Sequence, residues 1–250
     1  MTLDPRRAAI WQAMGLGPVW QLRSPSAAAP AEDAPVASQS AATRPADATA
    51  TADWPTLQAR VAACVACGLC RTRTQTVFGV GHAQAHWMIV GEAPGAEEDA
   101  RGEPFVGQAG RLLDNMLASV GMSRRATEAH EAVFIANVLK CRPPNNRNPE
   151  PQEVAACDPF LQRQLELVGP KLVVVMGRFA AQSLLATDAS IASLRGKVHG
   201  IDIGGRRVPV VVTYHPAYLL RNLADKSKSW ADLCLARATY RGQPGVPAQS

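Results

Sequence analysis

Apolar residues along this chain gather in short unbroken runs separated by longer stretches with helical spacing. Trp87 to Val90 is the first run, and residues 86–91 read as a buried strand ending at a glycine. Residues 133–138 (Val-Phe-Ile-Ala-Asn-Val) form a second strand, and residues 171–176, mostly valine, form a third with both faces buried. Residues 207–213 form a fourth, reached through a hairpin at Gly204-Gly205. Helical patterns fill the gaps. Asp53 caps a helix running toward Ala63. Residues 108–120 carry Leu112, Leu113, Met116, Leu117 and Val120 on one face, and Gly121 stops them. A helix opens at Asn148-Pro149 and restarts at Asp158-Pro159; others cover 178–186 and 227–240. Strands alternating with helices predict an α/β fold of three layers, αβα, around a central, mainly parallel four-stranded sheet.

The first fifth of the chain follows other rules. Asp4 and Pro5 open a short amphipathic segment over 1–22 with Ile10, Trp11, Met14 and Trp20 on its apolar side. It is either a docking helix for a protein partner or a segment resting on the main domain. Residues 23–53 are mostly Ala, Pro, Ser, Thr and Asp, too poor in large apolar groups to pack, and are expected to be a disordered linker. The main domain is expected over 54–242, with a tail at 243–250. No apolar run approaches the ~20 residues of a membrane span. Gln12 and Gly15 interrupt the only N-terminal candidate for a secretory core. A cytoplasmic, monomeric protein is the expectation. The net charge of +5 is compatible with a polyanionic partner without requiring one.

Candidate chemistry lies in two places. After the first strand, Gly91-Glu92-Ala93-Pro94-Gly95 leads through Pro104-Phe105-Val106-Gly107 into the next helix. In open α/β sheets the crevice beyond the carboxyl end of a strand is where ligands bind. A nucleotide-binding reading of the turns at Gly91 and Gly177 is weak, because neither supplies G-x-G-x-x-G. The second place is the cysteines. Cys64-x-x-Cys67 lets two thiolates converge, and Cys141 and Cys157 lie fifteen residues apart across a loop. Paired knuckles, the usual zinc pattern, are missing, so four such thiolates suit an iron–sulfur cubane better than zinc. Cys70 extends the first pair toward a ferredoxin-like run that position 74, a threonine, does not complete. Cys234 reads as core on the last helix.

Taken together, these motifs resemble the family 4, thermostable-type uracil-DNA glycosylases. The resemblance spans about 57–236. It rests on Cys64-x-x-Cys67 with Thr72-Arg73-Thr74; Gly91-Glu92-Ala93-Pro94-Gly95 with Glu98-Asp99 and Pro104-Phe105-Val106-Gly107; Asn137-Val138-Leu139-Lys140-Cys141-Arg142-Pro143-Pro144 with Asn146-Arg147; and His215-Pro216-Ala217. It implies a repair enzyme that flips deoxyuridine out of DNA and hydrolyses its N-glycosidic bond, with a [4Fe-4S] cluster on Cys64, Cys67, Cys141 and Cys157. Cys70 would be a bystander. A related covalent-trapping branch carries a histidine-containing insertion before its last cysteine; the Arg142–Pro149 loop is short and has none.

The resemblance also assigns roles. Phe105 would be the platform under the flipped ring, with Gly91 and Ala93 beside it, and Asn137 the uracil reader. His215 would donate to uracil O2, and Glu92 would either orient the water as general base or fix the loop. Leu219 is spaced like the wedge that fills the vacated stack, with Leu220 and Arg221 as alternatives. Independently of the resemblance, the basic residues Arg142, Arg147, Arg195 and Lys197 are expected to touch phosphates. The remaining histidines, His82, His86, His130 and His199, fall outside these motifs. A catalytically inactive iron–sulfur DNA-binding module of the same fold is the rival reading; the presence of Glu92, Asn137 and His215 speaks against it.

Overall fold

The computed structural model describes residues 49–244 and Val246. Strands β1 (Val80–Gly81), β2 (Trp87–Gly91), β3 (Val133–Asn137), β4 (Leu172–Met176), β5 (Val198–Ile203) and β6 (Arg206–Thr213) make one sheet in the order β1-β3-β2-β4-β6-β5. The four central strands β3, β2, β4 and β6 are parallel, as expected. The sheet is wider than four strands because β1 and β5 pair antiparallel at its two edges. Gly204 and Gly205, both at positive φ, turn β5 into β6.

Alternation along the buried strands builds the two outer layers. Trp87 and Ile89 of β2, with Val133, Ile135, Leu172 and Val174, face one side, where Leu113 and Leu117 of α3 (Gln108–Ala118) and Leu233, Ala236 and Tyr240 of α8 (Lys226–Arg241) cover them. Met88, Val90, Phe134, Ala136, Val173 and Val175 face the other, beneath α1 (Trp54–Ala62), α4 (Pro151–Val168) and α5 (Arg178–Leu185). Each large side chain fully buried in this way stabilises the fold by about 1.5–3 kcal/mol. Asp53 caps α1 as its sequence suggests, its carboxylate accepting from Thr56 N at 3.0 Å.

Several expectations shift. The loop after β2 contains a short helix, α2 (Ala96–Arg101), and another, α7 (Pro216–Arg221), follows β6; α6 (Ile191–Leu194) completes the set. Helix α4 starts at Pro151, two residues past the expected opening, because Glu153 accepts from Glu150 N at 2.9 Å and fixes the first turn there. It also runs through Pro159 without restarting. An internal proline costs about 3 kcal/mol, and burial of Cys157, Phe160, Leu161 and Leu165 along that helix offsets it. Cys234 is exposed, not core: on α8 the buried stripe passes through Leu233 and Ala236, which leaves Cys234 on the solvent side.

Residues 1–48 and most of the tail, and with them the proposed amphipathic segment, lie outside the described residues. Thr49 and Ala52 are buried, and the Ala52 carbonyl accepts from Arg163 Nε at 2.7 Å, so packing begins a few residues before Trp54. Among the described residues no helix is long and apolar enough to cross a membrane.

Candidate active site and metal centre

Parallel register brings the ends of the central strands to one edge. Gly91 pairs with Asn137 across β2 and β3, and β4 and β6 end side by side at Met176 and Thr213. Beyond that edge lies a cavity of about 410 Å³ whose wall includes Glu92, Ala93, Phe105, Asn137, Arg147, His215 and Arg221. Seven residues singled out from sequence, spread over 130 positions of chain (92–221), thus meet around one space.

Close approach explains two of the glycines. A Cβ on Gly91 would lie 2.4 Å from Asn137 Oδ1 and 2.7 Å from Phe105 Cζ, so Gly91 lets the amide and the ring converge behind the cavity wall without lining it. A Cβ on Gly110 would meet the Phe105 carbonyl oxygen at 1.8 Å. Phe105 itself holds a left-handed φ of 54°, a strained conformation that its surroundings must impose. Arg124 does so, donating to the carbonyls of Pro104 (2.9 Å) and Phe105 (3.2 Å). The ring is buried and stacks with His215, centroids 5.3 Å apart and planes 27° from parallel.

His215 sits at the N-cap of α7, where its Nδ1 accepts from Ala217 N at 3.2 Å. Accepting at Nδ1 leaves the proton of the neutral ring on Nε2, as a free donor. Burial pushes the imidazole pKa down to about 4; nearby Glu98 opposes this and Arg221 adds to it. The ring is therefore neutral near pH 7. Glu92 is lifted above the usual carboxylate range by burial, with Arg178 pulling the other way. Its carboxylate makes no hydrogen bond among the described residues. The loop-fixing role falls instead to Glu98, whose oxygens accept from Gly95 N and Val106 N, both at 3.1 Å. Asn137 is buried, and its Oδ1 has no hydrogen-bond partner among the described residues. An orphaned buried acceptor is costly, about 1–3 kcal/mol, and at a cavity wall it calls for a partner that the cavity can receive.

The other sequence candidates separate. Leu219 is 1% exposed, packed inward, and cannot serve as a wedge in this arrangement: with His215 as N-cap and Pro216 at the first helical position, residue 219 falls on the inner face of α7. Leu220, the neighbouring alternative, is 38% exposed. Arg147 reaches the cavity, but Glu153 grips its guanidinium at 2.6 and 2.9 Å and Glu150 adds a contact at 3.2 Å, so much of its charge is answered within the loop. Arg142 lies outside the cavity with Nε on Asn146 Oδ1 at 2.7 Å. Arg195 pairs with Asp232 at 2.7 Å and stacks on Tyr214, a structural post and no phosphate clamp; Lys197 is exposed. The four other histidines make local contacts elsewhere, for example His86 Nδ1 with Tyr240 OH at 2.6 Å.

Behind the site, Cys64, Cys67, Cys70, Cys141 and Cys157 line a common recess. Arg73 Nη1 donates to Cys141 Sγ at 3.0 Å while Nη2 donates to the Cys64 carbonyl at 2.8 Å. Lys140 N donates to Cys157 Sγ at 3.3 Å. Burial raises both buried thiols, Cys157 to about 11. Among the described residues no three Cys, His, Asp or Glu side chains meet at the distance of a single ion. Asp99, buried, accepts from Thr74 N at 2.9 and 3.0 Å and so ties the cysteine segment to α2.

Comparison with known proteins bears directly on this geometry. The Uracil DNA glycosylase superfamily profile matches residues 78–236. A type-4 uracil-DNA glycosylase of Archaeoglobus fulgidus is 48% identical over 64% of this chain and 79% of its own length. The chain belongs to the type-4 uracil-DNA glycosylases. Type-4 enzymes of Thermotoga maritima (44% identical, 67% of this chain, 83% of theirs) and Sulfurisphaera tokodaii (42%, 66% and 75%) agree. In glycosylase terms, sequence reasoning missed the supporting residues Glu98, Arg124, Arg73 and Gln164. Glu98 and Arg73 stand inside recognised motifs, so a signal existed; Arg124 and Gln164 stand in none, and the backbone carbonyls they hold, of Pro104, Phe105 and Phe78, lie far from them in sequence.

Proposed function

We propose that the cavity receives a deoxyuridine rotated out of the DNA stack and that Phe105, Asn137, His215 and Glu92 share the work of excising its base. The activity is uracil-DNA glycosylase activity: hydrolysis of the N-glycosyl bond, releasing uracil and leaving an abasic site for base excision repair. Phe105 supplies the platform. The Asn137 amide reads the pyrimidine edge, Oδ1 accepting from N3–H and Nδ2 donating to O4, a pattern that cytosine reverses. As the bond from N1 to C1′ breaks, negative charge grows on the uracil ring, and neutral His215 donates from Nε2 toward O2. Glu92 takes a proton from the water whose oxygen bonds to C1′, and its charge favours the cationic sugar. The departing uracil anion takes up a proton from solvent. Arg221 and Leu220 are positioned to meet the duplex, and the DNA acted on is cytoplasmic.

The cysteine recess fits a [4Fe-4S] cluster held by Cys64, Cys67, Cys141 and Cys157. Four sulfurs with N–H donors from Arg73 and Lys140, and no carboxylate among them, make a donor set suited to a net-negative sulfur-bound centre. The cluster would cross-link the segment after α1, the loop after β3 and α4; hydrolysis asks no electron of it.

The observation that carries the reading is the unpartnered Asn137 Oδ1 buried at the wall of the cavity that also holds His215. A gel assay on a uracil-containing oligonucleotide tests it. Wild type should cut after alkali, and Asn137→Ala and His215→Ala should each lose at least about a hundredfold. Unchanged rates in both variants would refute the assignment. Iron and sulfide analysis with visible absorbance tests the cluster.

A further inference from the structure

Among the described residues Lys140 is the one fully buried cation, 1% exposed, and none of the chemistry above uses it. Its Nζ donates to the carbonyl of Asn137 at 2.7 Å and to Gln164 Oε1 at 2.6 Å. Gln164, itself buried, passes the chain on by donating to the Phe78 carbonyl at 2.9 Å. The Lys140 backbone is held at both ends, its N–H by Cys157 Sγ and its carbonyl by Val77 N at 2.8 Å.

Both acceptors of the ammonium are neutral. Among the described residues no carboxylate forms an ion pair with Lys140 or with Arg73, the second cation on the recess. Burying an ammonium without an anionic counterpart costs several kcal/mol. Lys140 lines the same recess as Cys64, Cys67, Cys141 and Cys157, whose sulfurs are groups in that lining able to carry negative charge. As neutral thiols they leave the cation uncompensated; as thiolates bound to iron they carry the missing charge.

We propose that Lys140 is a positioning residue that makes the pyrimidine reader depend on the cluster: its ammonium fixes the carbonyl of Asn137 and is itself compensated by the negative charge of sulfur-bound iron. This rests on the cluster assignment proposed above. Asn137 ends β3, and the following amides tie that end to the catalytic loop, Val138 N donating to Gly91 O (2.9 Å) and Leu139 N to Glu92 O (3.0 Å). Loss of the cluster is thus felt first where Asn137 and Glu92 are held, while the valine core of β4 stays closed.

Hydrogen exchange by mass spectrometry on the full chain, before and after oxidative removal of the cluster, tests this on the peptide covering 133–141. In wild type, removal should speed exchange of Val138 and Leu139 at least tenfold. Gln164→Glu places a carboxylate on the ammonium and should hold the increase to less than threefold. Lys140→Met should exchange faster than wild type with the cluster present and respond little to its removal; its cluster should also reduce at a more negative potential, since a nearby cation is gone. If all three proteins loosen equally, the loop is released through Cys141 alone and the proposal is overturned. It is also overturned if none loosens. Protein that purifies without iron and sulfide overturns the cluster assignment and this proposal together; iron-loaded protein without the coupling overturns the proposal alone.

Discussion

Replacing Gly91 with alanine isolates the geometry of recognition from its chemistry, because glycine has no group that could react. The new Cβ would stand 2.4 Å from Asn137 Oδ1 and 2.7–2.9 Å from the edge of the Phe105 ring. Ordinary van der Waals contact begins near 3.4 Å, so the amide oxygen must retreat by about 1 Å. It has little room: Asn137 is buried at a paired strand end, and Phe105 is pinned by Arg124 and by the close pass of Gly110. Overpacking of this kind costs about 1–3 kcal/mol. For a domain of this size that lowers the melting temperature by about 2–4 °C per kcal/mol. A misplacement of about 1 Å in a positioning group costs about a hundredfold in rate. Single-turnover excision from a uracil oligonucleotide and a thermal melt, with Gly242→Ala as a control at an uncrowded site, measure both quantities. Folded Gly91→Ala protein cutting at the wild-type rate would refute a functional role for Asn137 and Phe105 held against Gly91.

Three further outcomes are expected. His215 is held neutral down to about pH 4, so the unfolded chain binds its proton first as pH falls below about 6.5. Native stability should therefore drop between pH 6.5 and 4, by at most about 3 kcal/mol from this group; denaturant melts should show that slope reduced in His215→Gln, and parallel curves would contradict it. Glu92 must be ionised to accept a proton and its pKa is raised, so the acid limb of the excision rate should lie above the usual carboxylate range and vanish in the residual activity of Glu92→Gln. Leu219→Ala should cost about 2–5 kcal/mol as a core truncation, whereas Leu220→Ala should change stability by less than about 0.5 kcal/mol and slow excision from duplex more than from single strands; the reverse pattern would restore Leu219 as the wedge.

Much of this protein was legible in one dimension. Continuous valine-rich runs ending at glycine announced strands buried on both faces, and a strand buried on both faces requires helices above and below. Cysteine spacing announced thiols that converge, and they line one recess; ordered motifs announced the glycosylase family. What the chain alone left open depends on direction and distance. The phase of α7 turns Leu219 inward and Leu220 outward, and that phase is set by a cap at His215. The division of labour between two carboxylates, Glu98 bracing backbone amides and Glu92 left free, depends on which amides the loop brings within 3.1 Å. Lys140 reads in the sequence as one more basic residue in a loop. Only packing shows that its ammonium is buried against the Asn137 carbonyl beside the cysteine recess, with no ion-pair partner among the described residues, because burial and pairing are properties of three-dimensional neighbourhoods that no spacing along the chain records.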